Sequence, residues 1–117
     1  MNKIEIGKIG EEATAYYLDK IGCTILEKNY RIQFGEIDII FIESDELVFG
    51  EVKTRRNKNF GKPCESVNYR KRNKIITVAK NYIVSNDIRN MNIRFDVFEV
   101  FFEEKKIHHI RNAYYAT

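Results

Sequence analysis

The chain has 117 residues, 44% of them hydrophobic and 32% charged, with 20 Lys and Arg against 17 Asp and Glu. Eight Phe, seven Tyr and a single Pro exclude disordered, collagen-like and low-complexity proteins. The length predicts one domain over residues 1–117. No apolar run is long enough to span a bilayer and no secretion signal is visible, so we expect a soluble cytoplasmic protein without a membrane partner.

The first half of the chain predicts one helix and three strands. Apolar residues at helical spacing indicate a helix over residues 7–21, and Gly22 follows as a stop signal. Residues 24–32 are rich in β-forming types and predict a strand. The segments 35–42 and 46–53 are apolar runs separated by Glu-Ser-Asp-Glu, which is the pattern of a β-hairpin.

The second half predicts a helix and a strand. A basic loop over residues 54–62 leads to Pro63, after which apolar periodicity from Val67 to Ile83 indicates a long helix. Residues 92–102 predict a fourth strand, and residues 107–114 leave open whether a short strand follows. The order α-β-β-β-α-β predicts an α/β sandwich whose sheet is mixed, because of its helical crossover, and is flanked by helices.

The hairpin brings charged residues together. If its turn centres on Ser44 and Asp45, then Asp38 lies opposite Glu51 and Glu36 lies opposite Lys53. Opposed carboxylates destabilise a sheet unless a positive charge lies between them. Mg²⁺ prefers oxygen ligands and needs only one or two carboxylates.

Lys53 is then expected beside the cation, where it could orient the attacking water or stabilise negative charge on phosphorus. The same face is expected to carry Ile40, Ile42, Leu47 and Phe49. The alternative is a wet sheet face on which the four charged residues form ordinary cross-strand ion pairs. A bulge would shift the register and remove the argument.

Charge is segregated along the chain. Residues 53–80 contain ten basic residues and one acidic residue, a net charge of +9, so the remainder carries −6. This segregation is typical of a surface that binds a polyanion such as nucleic acid, although a solvated basic helix would give the same pattern. The candidate phosphate contacts are Arg55, Arg56, Lys58, Arg70, Lys71, Arg72 and Lys74.

Several motifs together resemble a known family. Asp38 followed by Glu51-Val52-Lys53 is similar to the PD-(D/E)xK nuclease core, with Ile37 where the broad motif has proline. The segments 35–40 (GEIDII) and 51–55 (EVKTR), with shorter matches from Gly10 to Ala113, resemble the YraN family, a widespread bacterial family regarded as nuclease-like and similar to archaeal Holliday-junction resolvases.

The resemblance implies a restriction-endonuclease-like fold and a set of site residues. Asp38 and Glu51 match the metal-binding acids, the Val52 carbonyl matches a backbone ligand, and Lys53 matches the catalytic lysine. Glu11 matches an assisting acid on the first helix, and helical spacing alone does not choose between Glu11 and Glu12. Lys71 matches a basic position on the second helix, and the implied cofactor is Mg²⁺ or Mn²⁺.

Other residues carry weaker signals. His108 and His109 are adjacent and would point to opposite faces of a strand, so we expect surface histidines rather than a shared metal site. The pairs Tyr16-Tyr17 and Tyr114-Tyr115 could stack on bases, but packing is the simpler interpretation. Two distant cysteines, Cys23 and Cys64, indicate idle or buried thiols rather than a disulfide framework.

The sequence therefore predicts a metal-dependent endonuclease that cuts DNA, in particular branched or other non-B forms. The alternative is a non-catalytic nucleic-acid-binding module on the same scaffold, and a third option is a protein-interaction adaptor. The apolar segment 98–102 (FEVFF) allows either a buried strand or sheet-to-sheet contact in a homodimer.

Overall fold

A computed structural model describes residues 1–57 and 68–116. Two helices and five strands occur in these ranges, in the order α1, β1, β2, β3, α2, β4, β5. Their bounds are α1 Lys3–Lys20, β1 Thr24–Ile32, β2 Gly35–Glu43, β3 Glu46–Arg55, α2 Tyr69–Ser85, β4 Asn92–Phe101 and β5 Lys106–Tyr114. The predicted α/β class and mixed sheet are confirmed, and β5 is a full strand of nine residues.

Helix α1 begins one turn earlier than predicted. Asn2 caps it, because the Asn2 side chain accepts a hydrogen bond from the Glu5 backbone N–H and the Glu5 side chain returns to the Asn2 N–H. This reciprocal capping box satisfies two backbone donors that the first helical turn leaves free. At the other end Gly22 adopts φ +90°, which confirms it as the stop.

The sheet has the strand order β1-β2-β3-β4-β5, and only β3 and β4 are parallel. Helix α2 connects these two strands, as a crossover requires. Strand β3 extends to Arg55, two residues into the segment predicted as loop, and Arg55 pairs with Phe101 of β4. The predicted helix-start residues Pro63 and Val67, together with Cys64, lie outside the described residues, and the described part of α2 is capped by Asn68.

Two apolar clusters cover the two sides of the sheet. One joins α2, through Ile75 and Val78, to Ile40 and Phe49 of the sheet. The other joins α1, through Leu18, to the opposite side. Within the described ranges, no helix combines the length and apolar character that a membrane span requires.

Strand β4 lies between β3 and β5, and both of its edges are therefore paired. Phe98 is fully buried and Val100 is 5% exposed. This agrees with the buried-strand interpretation of the FEVFF segment. A homodimer stays a prediction.

A candidate metal centre at the fork between two strands

The sheet opens into a fork between β2 and β3. The two strands pair from Glu43–Glu46 to Ile39–Gly50, which confirms the predicted turn at Ser44 and Asp45. Beyond Ile39 and Gly50, β2 continues beside β1 and β3 continues beside β4. Asp38 and Glu51 are the first residues past the last pair, so two acids stand at the opening of the fork.

Asp38 bridges this opening. Its Oδ2 accepts a hydrogen bond of 2.8 Å from the backbone N–H of Val52 on the other branch. Burial, followed by the charge of Glu51 and the smaller effects of Glu11 and Glu36, raises the pKa of Asp38 to about 7, against the opposing effect of the Val52 hydrogen bond. The fork therefore holds a carboxyl group that is costly to ionise without a compensating cation.

The side chains of β2 cease to alternate regularly between the two faces of the sheet at Asp38. Ile37 is buried in the cluster on the α2 side, whereas Ile39 is buried in the cluster on the α1 side. The β1 ladder skips the same position, because Lys28 pairs with Ile39 and Tyr30 pairs with Ile37. Asn29, between them in β1, has a φ of 51°. This irregularity frees the Asp38 side chain from the regular pleat.

The divergence of β2 from β3 shows that one prediction was wrong. Glu36 does not lie opposite Lys53, because its branch has left β3; it pairs with Arg31 of β1, and the Arg31 guanidinium donates two hydrogen bonds to its carboxylate. The expectation of four charges on one face with the apolar residues was therefore wrong for Glu36. Ile40, Ile42, Leu47 and Phe49 do pack on the α2 side.

Glu51 is 7% exposed and is neutralised by two ammonium groups. Lys71 Nζ on α2 lies 2.7 Å from Glu51 Oε1, and Lys53 Nζ lies 3.8 Å from the same oxygen. Burial, followed by contact with Lys71, lowers the pKa of Lys53. For Lys71, burial is the largest effect and acts downward, but hydrogen bonding with Glu51 and Lys53 and the charges of Glu51 and Asp38 together outweigh it, so the pKa of Lys71 is raised.

Helix α1 contributes Glu11 to the same site. Its Oε1 accepts a hydrogen bond of 3.0 Å from Asn29 Nδ2, beside the irregular position in β1. A cavity of about 430 Å³ is lined by Glu11, Asp38 and Val52. Glu12 also lines the cavity but is exposed, and of the two acids it is Glu11 whose charge acts on Asp38.

Close packing of α1 on β3 fixes this approach. A Cβ at Gly10 would lie 1.8 Å from Thr54 Oγ1, so the helix can approach β3 at this distance only with glycine. Because Glu11 directly follows Gly10, the contact between Gly10 and Thr54 also fixes the position of Glu11 along β3.

The donor set of the fork suits a hard divalent cation. Two carboxylates and the carbonyl of Val52 are oxygen ligands of the type that Mg²⁺ or Mn²⁺ accepts, with water completing the shell. The described residues contain no group of three or more His, Cys, Asp or Glu arranged as metal ligands, so such an ion would depend on the substrate or water for its other ligands. The raised pKa of Asp38, caused by burial and then by the charge of Glu51, is the observation that fits a cation.

The basic residues predicted from the segregated charge take different positions. Lys71 lies at the fork, Arg55 lies 3.6 Å from the buried carboxylate of Glu99, and Arg72 lies over the Tyr114 ring at 5.1 Å. Arg56, Arg70 and Lys74 are exposed, whereas Lys58 lies outside the described residues. Arg55 and Arg72 therefore have roles in packing besides any contact with phosphate.

The histidine prediction was half wrong. His108 is exposed, but the side chain of His109 is only 4% exposed. His109 stacks on Phe98 at 4.2 Å, and its ring nitrogens lie 2.9 Å from Tyr17 Oη and 2.7 Å from Asp96 Oδ2. The two histidines do point to opposite faces, as strand geometry requires, and the inward face is filled by this network.

Sequence reasoning missed the buried ion network around Asp96. Asp96 is fully buried and accepts hydrogen bonds from Arg94, His109 and the Asn112 backbone N–H. Arg94 also donates to Glu43 and Glu46 at the hairpin turn. The only local signal is Arg-Phe-Asp in β4, which places two opposite charges on one face.

The packing interpretation of the tyrosine pairs fits one member of each. Tyr17 contacts Phe98 edge to face at 6.3 Å, and Tyr114 is 6% exposed and stacked on Phe95. Tyr16 and Tyr115 are exposed. Cys23 is a buried free thiol, as expected.

Comparison with known proteins identifies the family. Residues 10–100 match the family model described as "Uncharacterised protein family UPF0102". A UPF0102 protein of Clostridioides difficile is 54% identical over 114 residues, covering 97% of this chain and 100% of the relative. A UPF0102 protein of Dictyoglomus turgidum is 47% identical over 105 residues, covering 90% and 89%. The chain therefore belongs to family UPF0102, the YraN family whose motifs the sequence carries.

Proposed function

We propose that this protein is a metal-dependent endonuclease that hydrolyses phosphodiester bonds, with DNA as its substrate. The observation that carries the proposal is the half-buried Asp38 beside the buried Glu51 at the fork, with the ammonium groups of Lys53 and Lys71 both near the same oxygen of Glu51. Removing two carboxylates and a lysine from water costs folding free energy, so this cluster is poorly explained by stability alone. The same groups suit the chemistry of phosphoryl transfer.

Each residue of the fork has a defined part in the proposed reaction. Asp38, Glu51 and the Val52 carbonyl would hold Mg²⁺ or Mn²⁺, which supplies Lewis-acid activation of water and phosphate when bound. Lys53 places a positive charge where a phosphorus centre gains negative charge during attack. Glu11, hydrogen-bonded to Asn29, can accept a proton from a water in the cavity that it shares with Asp38.

Charge supports nucleic acid as the polyanion. Arg56 directly follows β3, which carries Lys53, and Arg70 and Lys74 lie on α2, which carries Lys71; all three basic residues are exposed. Contacts of Lys and Arg with phosphates position a nucleic acid without reading its sequence. The preference for branched DNA and the cytoplasmic location rest on the family resemblance and are part of the proposal.

One observation favours a second candidate, a non-catalytic nucleic-acid-binding module. Lys71 lies 2.7 Å from Glu51, so the buried carboxylate is already neutralised by a side chain of the protein. If this ion pair is retained in the working state, the fork binds phosphate through its lysines and needs no metal. The two candidates differ in whether nucleic acid is cut.

Cleavage assays separate the candidates. Labelled duplex, single-stranded, flap and four-way DNA are incubated with the protein in Mg²⁺, Mn²⁺ or EDTA. We expect metal-dependent cleavage that falls at least a hundredfold in Asp38→Ala and Lys53→Met, and that is unchanged in the exposed controls Asp45→Asn and Lys80→Met. Cleavage that survives both fork substitutions would refute the nuclease proposal, and salt-sensitive binding without cleavage would establish the module.

A further inference from the structure

A second surface lies on the outer side of α2, next to the fork. We call it the aromatic hollow. It is a depression of about 630 Å³ between the β1–β2 turn and the first three turns of α2, lined by Phe34, Tyr69, Arg70, Asn73, Lys74 and Thr77.

The two aromatic rings of the hollow are exposed. Phe34 is 62% exposed and Tyr69 is 76% exposed, and neither belongs to the two buried clusters of the protein. Single exposed apolar side chains are common on protein surfaces. Two large rings that border one depression, on separate elements that the fold brings together, form a surface on which flat groups can stack.

The charged residues that line the hollow are basic and favour a polyanion as its ligand. Arg70 and Lys74 are one helical turn apart and both are exposed, and the remaining polar lining residues, Asn73 and Thr77, are neutral. Within the described parts of the chain, no carboxylate lines the hollow. Exposed rings interleaved with cations are the combination that binds single-stranded nucleic acid, because bases stack on the rings while phosphates meet the cations.

The position of the hollow relates it to the fork. Lys71, which contacts Glu51, lies on the same first turn of α2 as Tyr69 and Arg70. Phe34 is four residues before Asp38, which at ~3.3 Å per residue in a strand is a separation of ~13 Å. Gly35, next to Phe34, has α2 packed against its backbone, because a Cβ there would lie 3.2 Å from Val78 Cγ2. Helix α2 thus contributes residues to both the hollow and the fork, and Phe34 directly precedes β2, the strand that carries Asp38.

We propose that the aromatic hollow binds unpaired bases of a single-stranded stretch a few nucleotides from the phosphate at the fork. The inference rests on the proposed function, and it specifies the substrate: a nucleic acid with unpaired nucleotides beside the point of attack. A continuous duplex would offer its phosphates to Arg70 and Lys74 but would keep its base faces stacked on one another and away from Phe34 and Tyr69.

The absence of tryptophan from the chain allows a direct test. In Phe34→Trp the new indole is the only one in the protein, and stacking of a base on it quenches its fluorescence. The control is Val84→Trp, at a 79% exposed residue near the other end of α2 that does not line the hollow. Both proteins are titrated with oligo(dT) and with a duplex of equal length, in EDTA to prevent cleavage.

We expect saturable quenching of Phe34→Trp by oligo(dT), weak quenching by the duplex, and no quenching of the control. In a parallel anisotropy assay, Phe34→Ala and Tyr69→Ala should each weaken oligo(dT) binding roughly fivefold to a hundredfold, with duplex binding unchanged. Tyr69→Phe, which keeps the ring, should bind as the unchanged protein does.

Three outcomes would overturn the inference: no quenching at position 34, equal quenching by duplex and oligo(dT), or a fluorescence change on raising protein concentration alone, which would assign the hollow to a second copy of the chain. Because binding is measured without metal, the result is independent of cleavage. Stacking without any cleavage in Mg²⁺ would refute the nuclease and leave the hollow established.

Discussion

The ionisation of Asp38 makes a prediction that needs neither substrate nor metal. A native pKa of about 7 against 3.8 in the absence of these effects means that the folded protein retains this proton where the unfolded chain has lost it. The stabilising effect of the bound proton is full below pH 3.8 and is lost as the pH rises to about 7. The free energy of unfolding of the protein should therefore fall between pH 3.8 and about pH 7.

The magnitude follows from the size of the shift. One pKa unit corresponds to ~1.4 kcal/mol, so the ionised Asp38 carboxyl is destabilising by at most ~4 kcal/mol above pH 7. Asp38→Asn removes the charge and keeps an oxygen that can accept the Val52 hydrogen bond. We expect this variant to be more stable than the unchanged protein by ~2–4 kcal/mol at pH 8 and nearly equal to it at pH 4.

Urea unfolding in EDTA, at pH values from 4 to 8, measures this difference. The control Asp45→Asn, at an exposed turn residue, should follow the unchanged protein at every pH. If Asp38→Asn also ran parallel to the unchanged protein, the carboxyl would not be strained by burial and Glu51, and the electrostatic argument for a cation at the fork would fail.

Three other perturbations have distinct expected results. Asp96→Asn should lower the free energy of unfolding by ~1–3 kcal/mol, because it removes the fully buried carboxylate shared by Arg94 and His109 and leaves Arg94 with only the partly exposed carboxylates of Glu43 and Glu46; urea unfolding measures this, and a loss below ~1 kcal/mol would contradict it. Gly10→Ala should destabilise by ~1–3 kcal/mol through its clash with Thr54, whereas Gly7→Ala, which has open space, should not; equal melting temperatures of the two variants would refute the argument. Lys71→Met should tighten Mn²⁺ binding if the ammonium competes with the cation for Glu51, and weaker binding in calorimetry would show that Lys71 supports the metal instead.

The hairpin register was predictable because it depends on local chemistry. The polar Ser44-Asp45 turn fixes which residues are opposed, and the observed pairs follow from it. Asp38 and Glu51 therefore came out as neighbours from the sequence alone. The early start of α1 was not predicted, although Asn2 and Glu5 have the spacing of a capping box and so carried a signal for it.

The fork itself was not predictable from the hairpin. Its opening depends on β1 and β4, which pair with the outer sides of β2 and β3 past Ile39 and Gly50. The displacement of Glu36 follows from that divergence. The burial of His109 similarly depends on Tyr17 and Asp96, which are distant in sequence, so that no local pattern around the histidine reveals it.

Cation binding at the fork is the claim on which the proposed reaction depends. Calorimetric titration with Mn²⁺ at pH 6.5, in two buffers of different ionisation enthalpy, measures both the affinity and the protons released. We expect one site in the unchanged protein, with proton release because Asp38 must ionise to bind the ion, and loss of the site in Asp38→Asn. Absence of binding, or equal binding by Asp38→Asn, would contradict the account.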